Sequence, residues 1–446
     1  MDLETSLPLL YPLRYHIDHL AFRSLSTQSA SLQSVKFFYE FWRQKYGVSF
    51  CYSFYSSDHN PDIAVGEMPA FWMYLENGHN VQSNVLSLTR VTKANSLTHT
   101  VRVRAVIHFI SFLINTYISP AYRDDSPKAL SLLASRLHTR LQLCRENYRT
   151  LTSNKFSQHS HSSQGFQSLS GAMVLSLYGI ITPSSAQKHN PLNPFPSGHL
   201  QFRNFLIIRL LLNYGIRTGE LLLLECSSIK PNLKGDKFSL IVTTVDEAYE
   251  PRKNAPSLKN AWANRVLELD KQDYIFLSIY IARLRPKTDK HDFIFTSSQQ
   301  SAKPLSYTSV HSIFSKVDKV FTNQYPEYKS PMYSDSLQRL TPHTTRHTWA
   351  FLTLQKIWHS KYLKSQQNKT HFIAGVPSLS GIMEEAKDEL RLMGGWSPTS
   401  QMPDLYAKRF LSEQANAANV QRIIQDNAAL HNTLDTIMDR YNDDII

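Results

Sequence analysis

Cysteine is nearly absent: Cys51, Cys144 and Cys226 are all that 446 residues contain. They are odd in number, far apart and in no CxxC pattern, which argues against a disulfide framework and a cysteine-built zinc site and fits a reduced compartment. Glycine is also scarce, with 14 residues, and no GxxxxGK loop is there to cradle a nucleotide phosphate. HExxH and carboxylates clustered at metal-ligand spacing are missing too, so neither a metal nor a nucleotide cofactor is expected. The opening MDLETSLPLLYPLRYH lacks the basic-then-apolar pattern of a secretory signal. The most apolar runs, VIHFISFLINTYI and FLIIRLLLNYGI, read as too short and too interrupted to span a bilayer. A soluble intracellular chain is the expectation.

Basic residues are in clear excess, 48 Lys and Arg against 36 Asp and Glu, a formal charge of +12. The excess is uneven. From Glu413 onward six acids (Glu413, Asp426, Asp435, Asp439, Asp443, Asp444) face two arginines, so the body is more basic than the whole. A basic body points to a polyanionic partner, and an acidic tail to some other task. Hydrophobic content of 42% is that of a folded chain, and the length calls for two or three domains.

Periodicity organises the chain. Residues 1–28 read as an irregular lead-in. Between 29 and 150 the pattern is helical and basic, with Val35, Phe38, Tyr39 and Trp42 at i, i+3, i+4, i+7 spacing and long helices in SLTHTVRVRAVIHFISFLINTYI and ALSLLASRLHTRLQLCRENY. The serine-rich stretch 151–166 reads as a linker. A second domain, 167–412, is mostly helical, but KFSLIVTTV and NRVLELD read as two strands of a small antiparallel sheet. Lys361–Gly375 reads as a polar insertion, and 413–446 as an acidic helix with Val420, Ile423, Ile424, Leu430, Leu434 and Ile437 at helical spacing. The expected fold is therefore mainly α: an all-α domain followed by a mostly helical domain with a small sheet.

With 18 histidines in the chain, one HxxR arises by chance, and two occur: His99–Arg102 and His343–Arg346. Only the second has company. Upstream stands Gly215-Ile216-Arg217-Thr218-Gly219-Glu220-Leu221; downstream stands Met393-Gly394-Gly395-Trp396, with Tyr406 ten residues further on. A phosphodiester under attack gains negative charge on its non-bridging oxygens. Arg217 and Arg346 suit that charge, since a guanidinium is a planar fork of donors that stays cationic. Preorganised donors of this kind contribute roughly 3–4 kcal/mol each in the transition state. Trp396 can donate its indole N–H while its ring packs. Tyr406 is a nucleophile that needs help, its free pKa being about 10. The two arginines favour its phenolate, and His343 can serve as acid, base or phosphate-orienting group. His347 reads as structural, and Glu220 as a brace for Arg217.

In order, spacing and flanking apolar residues these segments resemble the three boxes of the tyrosine recombinase (phage integrase) family. The likeness covers about 165–412 well, and 29–150 in layout. This sequence departs from the pattern in Ser228, where an acid is usual, in a longer stretch between Arg346 and Trp396, and in Trp396 itself, where histidine is commoner. The resemblance implies a core-binding domain and a catalytic domain that clamp double-stranded DNA. It implies metal-independent cleavage and rejoining through a 3′-phosphotyrosine, and a homo-tetramer on two DNA sites. It further implies accessory DNA-bending proteins, a C-terminal helix docked on a neighbouring subunit, and the integration and excision of a mobile element. A hairpin lysine is implied as proton donor to the leaving oxygen; Lys259 matches best and Lys253 is the rival. The catalytic set is then Arg217, Lys259, His343, Arg346, Trp396 and Tyr406, with a cytoplasmic, nucleoid-associated location. A type IB topoisomerase would use the same residues, and a non-catalytic DNA-binding regulator could share the fold.

Overall fold

The computed structural model describes residues 7–77, 93–121, 126–157, 166–184, 190–245, 250–252, 255–298, 301–330, 332–333, 335–368 and 379–429. Its contacts divide into two compact units, Met1–His161 and Ser162–Ile446.

Among the described residues the regular elements of the first unit are all helical: α1 (Leu10–Tyr15), a π-helical turn (His16–Leu20), α2 (Leu25–Tyr46), α3 (Phe50–Ser56), α4 (Asp62–Gly66), α5 (Met68–Glu76), α6 (Lys93–Ala121) and α7 (Pro127–Ser157). The Oγ of Ser24 accepts from the Thr27 amide at the start of α2. Gly47, at φ +74°, ends the helix by donating to the Arg43 carbonyl, a conformation that suits glycine. The face predicted from 3.6-residue spacing is the buried one: Val35, Phe38, Tyr39 and Trp42 meet Phe50, Phe71 and Phe109 in an aromatic core. Three expectations need correction here. The lead-in 1–28 is helical from Leu10, because Tyr11 and Tyr15, one turn apart, are both buried, while Pro12 falls where its missing N–H breaks no bond. Helix α7 runs on through 151–157, so that part of the expected linker is helical; 158–165 lie outside the described residues. The stretch Thr98–Ser119 does have the length and composition of a membrane span, yet Phe109, Ile110, Leu113 and Ile114 bury its apolar face in the unit's own core.

The second unit contains α8 (Gly171–Ile181), α9 (Gly198–Asn213), α10 (Thr218–Leu222), β1 (Ile229–Pro231), β2 (Phe238–Val242), β3 (Arg265–Leu269), α11 (Lys271–Ile279) with a π-helical extension (Tyr280–Leu284), α12 (Tyr307–Gln324), α13 (Pro342–Asn368), α14 (Leu379–Gly394) and α15 (Met402–Ala429). The strands form one antiparallel sheet in the order β1-β2-β3, with Leu240 opposite Ile229 on one side and Leu267 on the other. β2 and β3 are the two strands read from the sequence, and β1 adds a third. The expected insertion 361–375 is helical as far as Asn368, the remainder lying in the undescribed 369–378. Nor is residue 413 a boundary: α15 carries Tyr406 in its first turns and continues unbroken to Ala429. A large core joins α8, α9, α12 and the sheet. A separate cluster, Trp349, Phe351, Leu354, Leu390, Trp396, Tyr406 and Phe410, packs α13, α14 and α15 together. The site stands on this second cluster.

Candidate active site

The residue pattern at the end of α14 creates the site's scaffold. Gly395 takes φ +59°, and the amides of Trp396 and Gly395 turn back to the carbonyls of Arg391 and Leu392, closing the helix in a Schellman motif. The next carbonyls have no helical partner. Three guanidiniums take them in sequence. Arg265 Nε donates to the Met393 carbonyl at 2.8 Å, Arg346 Nη2 to Gly394 at 2.6 Å, and Arg217 Nη2 to Gly395 at 3.1 Å. The negative end of the helix dipole favours cations here.

Each arginine arrives by a different route. Gly215, also at φ +59°, breaks the chain after α9; a Cβ there would stand 2.0 Å from the Trp349 ring. The break makes Arg217 the N-cap of α10, where Glu220 accepts from its amide and from its guanidinium. Arg346 sits in the first turns of α13, which Thr341 caps by accepting from the Thr344 amide at 3.1 Å. Its Nη1 donates to the Gly215 carbonyl, and its guanidinium lies 4.5 Å over the Trp396 ring. Burial, then the neighbouring Arg217, pull its pKa down to about 9, which leaves it a cation near neutral pH. Glu220 is 1% exposed. Burial alone would raise its pKa, but Arg265, Arg346 and Arg217 outweigh that and hold it below the ordinary value.

Tyr406 is 1% exposed. Phe166 meets it edge-on at 4.9 Å, and the Trp396 ring lies 6.0 Å away. Burial pushes the phenol up to about 12, against the pull of Arg346 and Arg217. Its hydroxyl shares a 2.9 Å hydrogen bond with His347 Nδ1. This corrects the expectation for the two histidines: the ring bonded to the Tyr406 hydroxyl is that of His347, four residues and one helical turn beyond His343. Burial, His343 and Arg346 lower the His347 pKa to about 4, so it is neutral and free to accept. His343 is exposed, its ring 4.1 Å from that of His347. Partial desolvation, Arg346, Lys259 and Arg217 depress its pKa.

Arg217, Arg346, Trp396 and Tyr406 thus lie together, with His343 beside them, and Lys259 is joined to them through its charge effect on His343. Lys259 is exposed in the long β2–β3 connection, just before a 3₁₀ turn (Ala261–Ala263), and not on a tight hairpin tip. Lys253 lies outside the described residues. Two residues of consequence escaped the sequence reading, Arg265 and the role of His347. The HxxRH spacing, which puts both histidines on one helical face, was a usable signal for the second; nothing marked the first.

No family model and no curated protein matches the sequence. Solved structures do resemble the chain. One is the Tn1549 transposon integrase in complex with transposon right end DNA, at TM-score 0.38 and 13% identity over 87% of this chain and 99% of that one. XerA recombinase gives 0.33 and 13% over 92% and 97%. XerH site-specific recombinase bound to its difH substrate gives 0.35 and 12% over 80% and 96%. At these scores the resemblance is loose, and the chemistry has to stand on the side chains just described.

Proposed function

We propose that the protein is a site-specific DNA recombinase that cleaves and rejoins strands through a 3′-phosphotyrosine on Tyr406. The observation that carries this is the 2.9 Å hydrogen bond between a buried phenol and a neutral imidazole, beside two guanidiniums fixed on consecutive carbonyls. Arg217 and Arg346 receive the charge of the phosphoryl oxygens. Trp396 supports the site through its ring and offers its indole N–H. As the Tyr406 oxygen bonds to phosphorus, its proton passes to His347, the P–O5′ bond breaks, and Lys259 protonates the departing oxygen. A phenol near 12 and an imidazole near 4 keep the proton on oxygen at rest. Transfer becomes favourable only as phenolate charge moves onto the phosphoryl group, so the uncommitted tyrosine stays protonated. His343, at the exposed edge, orients the phosphate.

The phosphotyrosine conserves the bond energy, so rejoining needs no nucleotide. The biological setting we infer is integration and excision of a mobile element by a tetramer on two duplexes, in a cytoplasmic, nucleoid-associated location. The test uses nicked suicide duplexes drawn from DNA flanking the protein's own coding sequence. A covalent adduct mapped to Tyr406 supports the reading; an adduct at Tyr362 or Tyr441, or none on any flanking DNA, rejects it.

A further inference from the structure

Arg265 opens β3, and no motif singles it out. Its side chain is 7% exposed. Each of its three nitrogens donates: Nε to the Met393 carbonyl, Nη1 to the Ala263 carbonyl and Nη2 to Glu220 Oε2, all at 2.8 Å. A guanidinium held on all its nitrogens is a strut rather than a phosphate ligand. One end of the strut is the Met393–Gly395 carbonyl run, shared with Arg346 and Arg217. The other is the turn that follows Lys259. That turn is short and closed, with the Ala263 amide donating to the Asn260 carbonyl at 3.1 Å and Ala263 fully buried. The two backbones also touch directly. A Cβ on Gly395 would meet Arg265 Nη1 at 2.8 Å and Ala263 Cα at 3.0 Å, so glycine is what lets them close up.

We propose that Arg265 is a positioning residue for departure of the 5′ oxygen: it fixes the turn that directly follows Lys259 against the same carbonyl run that aligns Arg346 and Arg217. Arg265 acts through Lys259 and does not itself touch the phosphate. The inference rests on the function proposed above, and in particular on Lys259 as proton donor. In the step concerned, the Lys259 ammonium loses a proton to the departing oxygen and becomes an amine. Where the bridging atom is sulfur, the thiolate leaves without that proton.

The experiment compares the full-length protein and its Arg265→Lys and Arg265→Gln variants on two suicide duplexes. One has the ordinary 5′-bridging oxygen at the cleaved position, the other sulfur. Both variants are expected to cleave the oxygen duplex about a hundredfold more slowly, and the sulfur duplex within a fewfold of the unsubstituted protein. Added to Lys259→Ala, Arg265→Lys should cost almost nothing further, because both act on one step. Cleavage of the sulfur duplex also reports that the variant is folded, and a melting curve checks it independently. Equal loss on both duplexes, or multiplied losses in the double variant, overturns the assignment. If the unsubstituted protein forms no adduct on either duplex, the proposed function itself fails, which is a separate result.

Discussion

Tyr406 and His347 set the expectations at the scale of single residues. Tyr406→Phe should abolish covalent adducts while leaving DNA affinity within about twofold, since the hydroxyl is the attacking atom and is buried away from any duplex before reaction; gel-shift and adduct assays on one duplex check this. His347 bears on stability as well. Its folded pKa lies below its unfolded value of about 6.5, so the unfolded chain binds more protons between pH 6.5 and 4, and stability falls as pH drops through that window. His343 adds a contribution of the same sign. His347→Gln should make the acid-side fall in melting temperature shallower, by as much as one proton's worth of slope. An unchanged slope would mean that His347 is not held neutral. Gly395→Ala forces a side chain into φ +59° and against Arg265. The expected destabilisation is about 1–3 kcal/mol, to be read by denaturant melts.

Helix α15 runs from Tyr406 into the acidic tail. Among the described residues its later turns are open to solvent, with Leu411 51%, Val420 53% and Ile424 55% exposed. Apolar side chains at helical spacing that find no cover in their own unit are suited to a second copy of the chain. Truncation from Asn416 should therefore spare binding to a single site but weaken synapsis and recombination. Mixing truncated protein with full-length Tyr406→Phe should partly restore cleavage by the truncated subunit. No restoration, with a lowered melting temperature of the truncated monomer, would place the tail on its own unit instead. The elements themselves were legible to different degrees. The two paired strands, the Ser-capped α8 and the aromatic face of α2 followed from local pattern. The helix at Leu10–Tyr15 did not, because Pro8 and Pro12 punctuate it and its helicity comes from burying Tyr11 and Tyr15.

Across the molecule, the proposed chemistry meets the phosphate charge with the guanidiniums of Arg217, at the start of α10, and Arg346, in α13. Adduct formation should accordingly proceed in excess EDTA and without ATP; strict dependence of the covalent step on Mg²⁺ would reject the proposed chemistry. Affinity for DNA should fall with salt, as expected when basic side chains displace counterions from phosphates. Arg217, Arg346, Trp396 and Tyr406 were visible as candidates because each sits in a short local pattern: at the start of α10, in the first turns of α13, and across the short connection from α14 to α15. Arg265 was not legible. NRVLELD reads as an ordinary half-exposed strand, and only tertiary folding shows that the carbonyls ending α14, left without helical partners, come to lie beside its arginine. His347 was underrated for a related reason: its partner is 59 residues away, on another helix.

Three donors from three distant stretches address Met393, Gly394 and Gly395 one by one, so the arrangement measures chain length as well as position. Adding or deleting one residue between Leu392 and Trp396 would slide every carbonyl past its guanidinium and turn Trp396 off its support, even if composition and charge were unchanged. Length changes should be fatal there, and a scan of single-codon insertions through 379–406 should show its heaviest loss at the end of α14, where the three guanidiniums meet their carbonyls.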